Sequence, residues 1–333
     1  MDLSSRLKLL EKLRTYILSN DENWINAQEN AFNANAWFIP DFIKLSAKNI
    51  ADNFLKIEQL LLWANEHQIP EKRVHPKKVG IVMAGNIPMV GFHDLLAVFV
   101  SGHYAIVKLS TRDTILIKHL VEKLQEWDTS VKTYIEFATT LKGCDAYIAT
   151  GSHNSSRYFE YYFQKYPHII RRNRTSVAVL TGEETMLDLE KLADDIHLYF
   201  GLGCRNVTKI YVPENYDFNK LLEALKKYDY FMDHFKYKNN FDYMFSIHLL
   251  NQTNYMTNGI VLLVEEPALF SPISQLNYTF YSNIQEVKDS LEKKTELQCI
   301  VGYDSLPFGQ AQCPALTNYA DGVNTLEFLQ SIG

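Results

Sequence analysis

Cys204 stands in Gly201-Leu202-Gly203-Cys204-Arg205, a thiol behind two glycines and in front of a cation. The thiolate is the nucleophilic form of cysteine, and a neighbouring guanidinium favours it. Neither glycine carries a Cβ, so a substrate or a cofactor ring can come close to the sulfur. That combination suits covalent transfer chemistry. The same residues also suit an inert, half-buried Cys in a Gly-rich turn, because unpaired cysteines are among the most often buried residues. Cys299 and Cys313 have no small residue beside them, Cys144 has only Gly143, and no pair of cysteines has the spacing of a zinc ribbon or a redox Cys-x-x-Cys. Asn86, in Ala84-Gly85-Asn86-Ile87-Pro88, offers an amide donor to a developing oxyanion. It is equally suited to a turn before Ile-Pro with no chemical role. The run Arg171-Arg172-Asn173-Arg174 is the densest basic cluster, fit either for phosphate groups or for a solvated loop paired with acids. His93 and His103 flank a helix and could line a cleft, but the ten histidines show no ligand spacing.

These residues need a scaffold, and the hydrophobic pattern supplies one. Residues 1 to about 66 read as helices, with Leu3, Leu7 and Leu10 on one face and Leu55, Ile57, Leu60, Leu61, Leu62 and Trp63 forming another apolar surface. Val79–Met83 then reads as a buried strand that delivers the Asn86 turn. A helix over Val90–Ser101 stops at Gly102, and Ala105–Leu109 follows as a strand. Asp113 is placed to cap a helix through Leu116, Leu120 and Leu124. Tyr134–Phe137, Ala146–Ala149 and Ser176–Leu180 complete a first block of strands, with a helix from Ser155 to Phe163 whose Tyr and Phe residues read as packing. Strands alternating with helices imply a parallel sheet covered on both faces, and ligands bind at the carboxyl ends of such strands. A second region runs from a helix over Leu187–Phe200 into Cys204 and a strand over Val207–Val212, with further strands at Ile260–Val264 and Gln298–Val301. The expected fold is α/β, two lobes: residues 1–181 with a helical start, residues 182–313 carrying the thiol, and residues 314–333 returning to the first lobe.

The chain has 333 residues and a net charge of −6. Nucleic acid and anionic membrane surfaces are therefore disfavoured as partners. The N-terminus lacks the apolar core and cleavage site of a signal peptide, and no apolar run is long enough to span a bilayer. The expectation is a cytoplasmic chain with reduced thiols, no metal site and no integral membrane segment. Gly201-x-Gly203 follows a helix instead of a strand, so it is no dinucleotide fingerprint.

Taken together, the segments resemble the acyl-CoA reductases of the LuxC type, within the aldehyde dehydrogenase superfamily. Gly203-Cys204-Arg205-Asn206-Val207 and the strand ending in Val212-Pro213 resemble the superfamily's nucleophile segment. Ala84–Pro88 resembles its oxyanion-hole turn, with Asn86 at the amide position. Val107-Lys108-Leu109-Ser110 resembles the strand end that holds the adenosine ribose, and Thr150-Gly151-Ser152 the turn at the cofactor-binding helix. Pro307-Phe308-Gly309 and Tyr319–Phe328 resemble the closing segment. The resemblance implies a Rossmann-like cofactor domain and a catalytic domain, with Lys108, Ser110, Thr111, Thr150, Gly151 and Ser152 toward the cofactor. Glu266, in Val264-Glu265-Glu266-Pro267, resembles the nicotinamide-ribose carboxylate, although its distance to Phe270-Ser271-Pro272 is longer than the usual pattern.

Two departures are informative. Hydrolytic aldehyde dehydrogenases carry a water-activating Glu where this chain reads Ile169-Ile170-Arg171-Arg172-Asn173-Arg174-Thr175-Ser176, without an acid. Lacking that base, an acyl-enzyme should resist water. After Ser110 the chain has Thr111-Arg112 where NAD-selective relatives often place an acid, so NADPH is acceptable and NADH is not excluded. The resemblance thus implies reduction of a long-chain fatty acyl-CoA to the aldehyde by NADPH through a Cys204 acyl-enzyme. It also suggests a homo-oligomer and an acyltransferase or synthetase partner. The alternatives are an acyl-phosphate reductase and a non-catalytic nucleotide-binding subunit.

Overall fold

The N-terminal helices each bury one apolar face; the first two start at aspartate caps, Asp2 and Asp21, and the third at Pro40. The computed structural model describes residues 1–333, the side chain of His153 aside. Helix α1 (Leu3–Ile17) begins where the Asp2 carboxylate accepts the Ser5 N–H at 2.8 Å and buries Leu3, Leu7, Leu10 and Leu13. Helices α2 (Glu22–Ala34), α3 (Pro40–Asn53) and α4 (Ile57–Glu66) follow. Leu55, Leu60 and Trp63 are buried, but Leu61 and Leu62 are exposed, so the expected apolar surface is a narrower stripe. An unbroken apolar run on a helix necessarily turns part of itself to solvent.

The chain then alternates strand and helix: β1 (Lys78–Val82), α5 (Phe92–Ser101), β2 (Tyr104–Lys108), α6 (Leu116–Trp127), α7 (Val131–Tyr134), β3 (Ile135–Phe137), β4 (Ala146–Thr150), α8 (His153–Phe163) and β5 (His168–Arg171). Gly102, with φ 81°, ends α5 in the left-handed conformation expected of a terminating glycine. The strands form one parallel sheet in the order β3-β2-β1-β4-β5. Val79, Ile81, Val107 and Ile148 are fully buried in it, each contributing about 1.5–3 kcal/mol of apolar burial.

Next come β6 (Thr175–Val179), α9 (Met186–His197), β7 (Val207–Pro213), α10 (Phe218–Leu225), α11 (Phe235–Leu250), β8 (Tyr255–Thr257), β9 (Leu262–Glu265), β10 (Gln275–Tyr281), α12 (Ile284–Leu291), β11 (Leu297–Gly302) and α13 (Thr325–Ser331). The second sheet runs β11-β6-β7-β10-β9-β8, parallel except for β8. Two units result: Met1–Asn173 with Pro314–Gly333, and Arg174–Cys313. Strand β6, expected in the first block, instead pairs with β7 and β11. The first unit accordingly ends at Asn173 and not at residue 181. Among the described residues no helix is long and apolar enough to cross a membrane.

Candidate active site

In the second unit Cys204 lies on the connection from α9 to β7. A tight turn, Leu198–Gly201, follows α9, and Tyr199, Phe200 and Gly201 are all left-handed, with φ of 57°, 56° and 74°. Two aromatic residues in that region are strained by about 1–2 kcal/mol each, a state that persists only where the surroundings impose it. Phe200 is buried, its ring centroid 4.4 Å from that of Phe231 and 4.5 Å from that of His234. Asn206, also fully buried, closes the base of the turn. The two hydrogens of its Nδ2 are shared among the carbonyls of Asp195, Ile196 and Leu198 at 3.1, 3.2 and 2.8 Å, and its Oδ1 accepts the Gly203 N–H at 2.8 Å. Carbonyls at a helix C-terminus have no partner within the helix, and here one amide collects them. The Ser176 hydroxyl donates to the Cys204 carbonyl at 3.1 Å and accepts the Cys299 N–H at 3.2 Å.

Cys204 is a half-buried thiol, Cys313 an exposed one. Burial pushes the Cys144 and Cys299 thiols up from the ordinary value, for Cys299 against the opposing hydrogen bond of Ser176 and the charge of Arg205. Those two are therefore held in the unreactive form. Asp195, buried at the end of α9, accepts the Gly309 N–H at 2.6 Å and the Ala311 N–H at 2.9 Å, and burial raises its carboxyl to about 6. The Pro307–Gly309 segment and the Cys204 turn are thus anchored on the same helix end. Glu266 stands apart from Cys204. Cys204 precedes β7, while Glu266 follows β9, and by register Glu265 is level with Ile210 across β10. The Glu266 carboxylate accepts the Ala268 N–H at 3.3 Å, and its carbonyl accepts the buried Lys209 ammonium at 2.7 Å.

In the first unit the sequence-derived residues gather at the carboxyl edge of the parallel sheet. The Asn86 turn leaves β1, Lys108, Ser110 and Thr111 lie at and beyond the end of β2, and Thr150, Gly151 and Ser152 join β4 to α8. A Cβ on Gly85 would sit 2.5 Å from the Ser110 hydroxyl, so only glycine permits these two turns to touch. Gly151 is equally constrained, 2.8 Å from the Phe159 ring. Ser152 caps α8 by accepting the Ser155 N–H. Asp113 faces the Leu116 N–H at the start of α6, and its Oδ2 also accepts the Met89 N–H at 2.6 Å, fixing the far end of the Asn86 turn. Ser46 holds the same turn by donating to the Pro88 carbonyl at 2.7 Å.

This edge combines an exposed cation, hydroxyls and the N-terminus of α8, a donor set that fits the phosphates and ribose of a dinucleotide. The basic cluster is not part of it. Arg171 is buried and bidentate to Asp94, at 2.7 and 3.2 Å; Arg172 pairs with Glu160, and Arg174 donates to the Leu297 carbonyl. His93 and His103 are likewise structural, donating to the carbonyls of Leu316 and Leu329. The stripe on α8 divides: Tyr158, Tyr161 and Tyr162 are exposed, while Phe163 stacks on Tyr147 at 4.0 Å. Asn206, Asp195 and Ser176 carry no sequence signal of their own, because each works through backbone groups brought near only by folding. Asn206 comes closest, as an amide two residues past the thiol at a helix–strand junction. Among the described residues no group of His, Cys, Asp or Glu could hold a metal ion.

Comparison with known proteins assigns the architecture. Solved structures with the same fold include the putative aldehyde dehydrogenase PutA of Anabaena variabilis, 13% identical over 92% of this chain and 75% of that one, TM-score 0.64. Aldehyde dehydrogenase 21 of Physcomitrella patens, in complex with the reaction product succinate, is 12% identical over 91% and 74%, TM-score 0.67. An NADP-dependent enzyme of E. coli is 11% identical over 91% and 73%, TM-score 0.65. No curated protein matches the sequence. The family model of acyl-CoA reductase (LuxC) matches residues 44–229. That match spans more than half of the chain, so the protein belongs to the LuxC acyl-CoA reductase family and is an aldehyde-forming oxidoreductase on the aldehyde dehydrogenase fold.

Proposed function

We propose that the protein reduces a long-chain fatty acyl-CoA to the aldehyde with NADPH, through an acyl-enzyme on Cys204. The observation that carries this reading is the half-buried Cys204 thiol on a strained turn held by the Asn206 amide, while burial keeps the thiols of Cys144 and Cys299 protonated. Cys204 as thiolate attacks the acyl carbon; the bond to CoA breaks, and CoA leaves with the electron pair. By the resemblance, the Asn86 amide is the donor to the oxyanion of the tetrahedral intermediate, an effect typically worth about 3–4 kcal/mol. Residues 169–176 offer no carboxylate to activate water, which favours survival of the thioester. When bound, NADPH supplies the hydride that reduces the acyl carbon. The oxyanion then re-forms its carbonyl and expels Cys204 as thiolate, releasing the aldehyde. Lys108, Ser110 and Thr150–Ser152 would hold the cofactor, and Thr111-Arg112 leaves no acid to repel a 2′-phosphate. Glu266 is carried as a ribose ligand on the strength of the resemblance.

Acyl-CoA mixed with the protein, without cofactor, should leave a covalent adduct on Cys204 that mass spectrometry locates. No adduct from acyl-CoA, with one from an acyl phosphate, would replace this reading with acyl-phosphate reduction. Adding NADPH to the isolated adduct should release aldehyde, and a panel of acyl lengths with NADH and NADPH fixes both preferences.

A further inference from the structure

Cys204 stands on a turn that its own backbone does not favour. Tyr199, Phe200 and Gly201 run consecutively left-handed, and the turn is followed within three residues by the nucleophile. Packing on Phe200 fixes one side. On the other side the Asn206 amide connects the end of α9 to the peptide before Cys204: it faces three carbonyls and accepts one N–H, and the backbone N–H of Asn206 donates to the Gly203 carbonyl at 3.1 Å. The carbonyl oxygen and the nitrogen of this side chain are both engaged, and the residue is fully buried. No other residue type offers the same set at this size: Asp has no donor for the three carbonyls, Ser and Thr cannot span from Leu198 to Gly203, and Ala satisfies none of them.

We propose that Asn206 is the positioning residue for the nucleophile. It holds Gly203 against the end of α9, so that Cys204 is presented in one fixed geometry before any substrate arrives. The inference rests on the reading of Cys204 as the nucleophile. Preorganisation of this kind acts on the chemical step, because a reacting atom displaced by a small fraction of its bonding distance forfeits much of the benefit of proximity. Asn206→Ala should therefore slow single-turnover acylation of Cys204 by acyl-CoA at least tenfold, while the KM for NADPH stays near that of the unmodified protein.

A merely structural role is separated by a matched control. Asn258 also joins backbone groups in the same unit, accepting the Ile260 and Val261 N–H groups and donating to the Leu222 carbonyl. Asn258→Ala should lower the melting temperature comparably and leave acylation unchanged. A folded Asn206→Ala that acylates at the unmodified rate overturns the proposal, as does an Asn258→Ala that slows acylation equally. Should Asn206→Ala fail to fold, hydrogen exchange on the unmodified protein decides: the Gly203 amide should be strongly protected, and exchange at the rate of an open loop overturns the proposal. The two readings fail differently. Cys204→Ala that still forms the adduct removes the nucleophile and this inference together, whereas an inert Cys204→Ala beside an unimpaired Asn206→Ala removes this inference alone.

Discussion

At the scale of single residues, two side chains carry the proposed chemistry and each has a distinct signature. Cys204→Ala should abolish both the acyl adduct and aldehyde formation, since burial keeps Cys144 and Cys299 protonated and Cys313 lies outside the proposed nucleophile turn. Cys299 is the strictest control, because the Ser176 hydroxyl lies 3.1 Å from its sulfur while also bonding the Cys204 carbonyl. Burial holds Cys299 protonated, so Cys299→Ala should retain most of the activity, measured as aldehyde formed per turnover. Asn86 is tested through the oxyanion it is proposed to stabilise. Asn86→Ala should lower kcat by about 10²–10³, the usual consequence of deleting one such donor, with the KM for acyl-CoA little changed. A large rise in KM at unchanged kcat would mean that Asn86 only binds the ground state.

Elements place these residues, and the sequence shows the elements better than their partners. The β1 turn, the glycine stop of α5 and the helix–thiol–strand order around Cys204 are legible because strand runs, left-handed glycines and helix periodicity are local properties. Sheet membership is not local: β6 reads the same in either sheet, and only its bonds to β7 and β11 assign it to the second. Buried polar clamps are equally invisible in one dimension, as Ser46 on α3 shows by donating to the Pro88 carbonyl of the Asn86 turn. Asp195 is a clamp whose charge can be measured. Its carboxyl lies at about 6 in the fold, above the ordinary 3.8, because burial disfavours the ion. A raised folded pKa means stability that is full below about 3.8 and is lost as pH rises through 6. Asp195→Asn also leaves one of the Gly309 and Ala311 N–H groups unpaired, a loss of about 1–3 kcal/mol. The stability advantage of the unmodified protein over Asp195→Asn should accordingly be largest near pH 4 and shrink toward pH 7, followed by thermal melts across that range.

For the molecule as a whole, the decisive feature is the return of residues 314–333 to the first unit. Leu316, Leu326 and Leu329 are buried there, and Arg171 reaches across to the Thr325 hydroxyl at 2.8 Å and to the Ala320 carbonyl. The same guanidinium is bidentate to Asp94 on α5. Burial alone would raise the Asp94 carboxyl; the adjacent Arg171 charge and its hydrogen bonds instead hold it below the usual value. Arg171 therefore ties β5, α5 and the closing segment together, and it cannot also serve an exposed phosphate. Removing one member of such a pair strands a buried charge, whereas removing both does not. Arg171→Leu and Asp94→Leu should each lose about 3–5 kcal/mol, and the double variant should lose clearly less than the two losses added, in urea melts at pH 7. If Arg171 were instead a phosphate ligand, Arg171→Leu would keep its stability and weaken NADPH binding. The geometry predicts the reverse: lower stability, with NADPH affinity of the folded fraction unchanged.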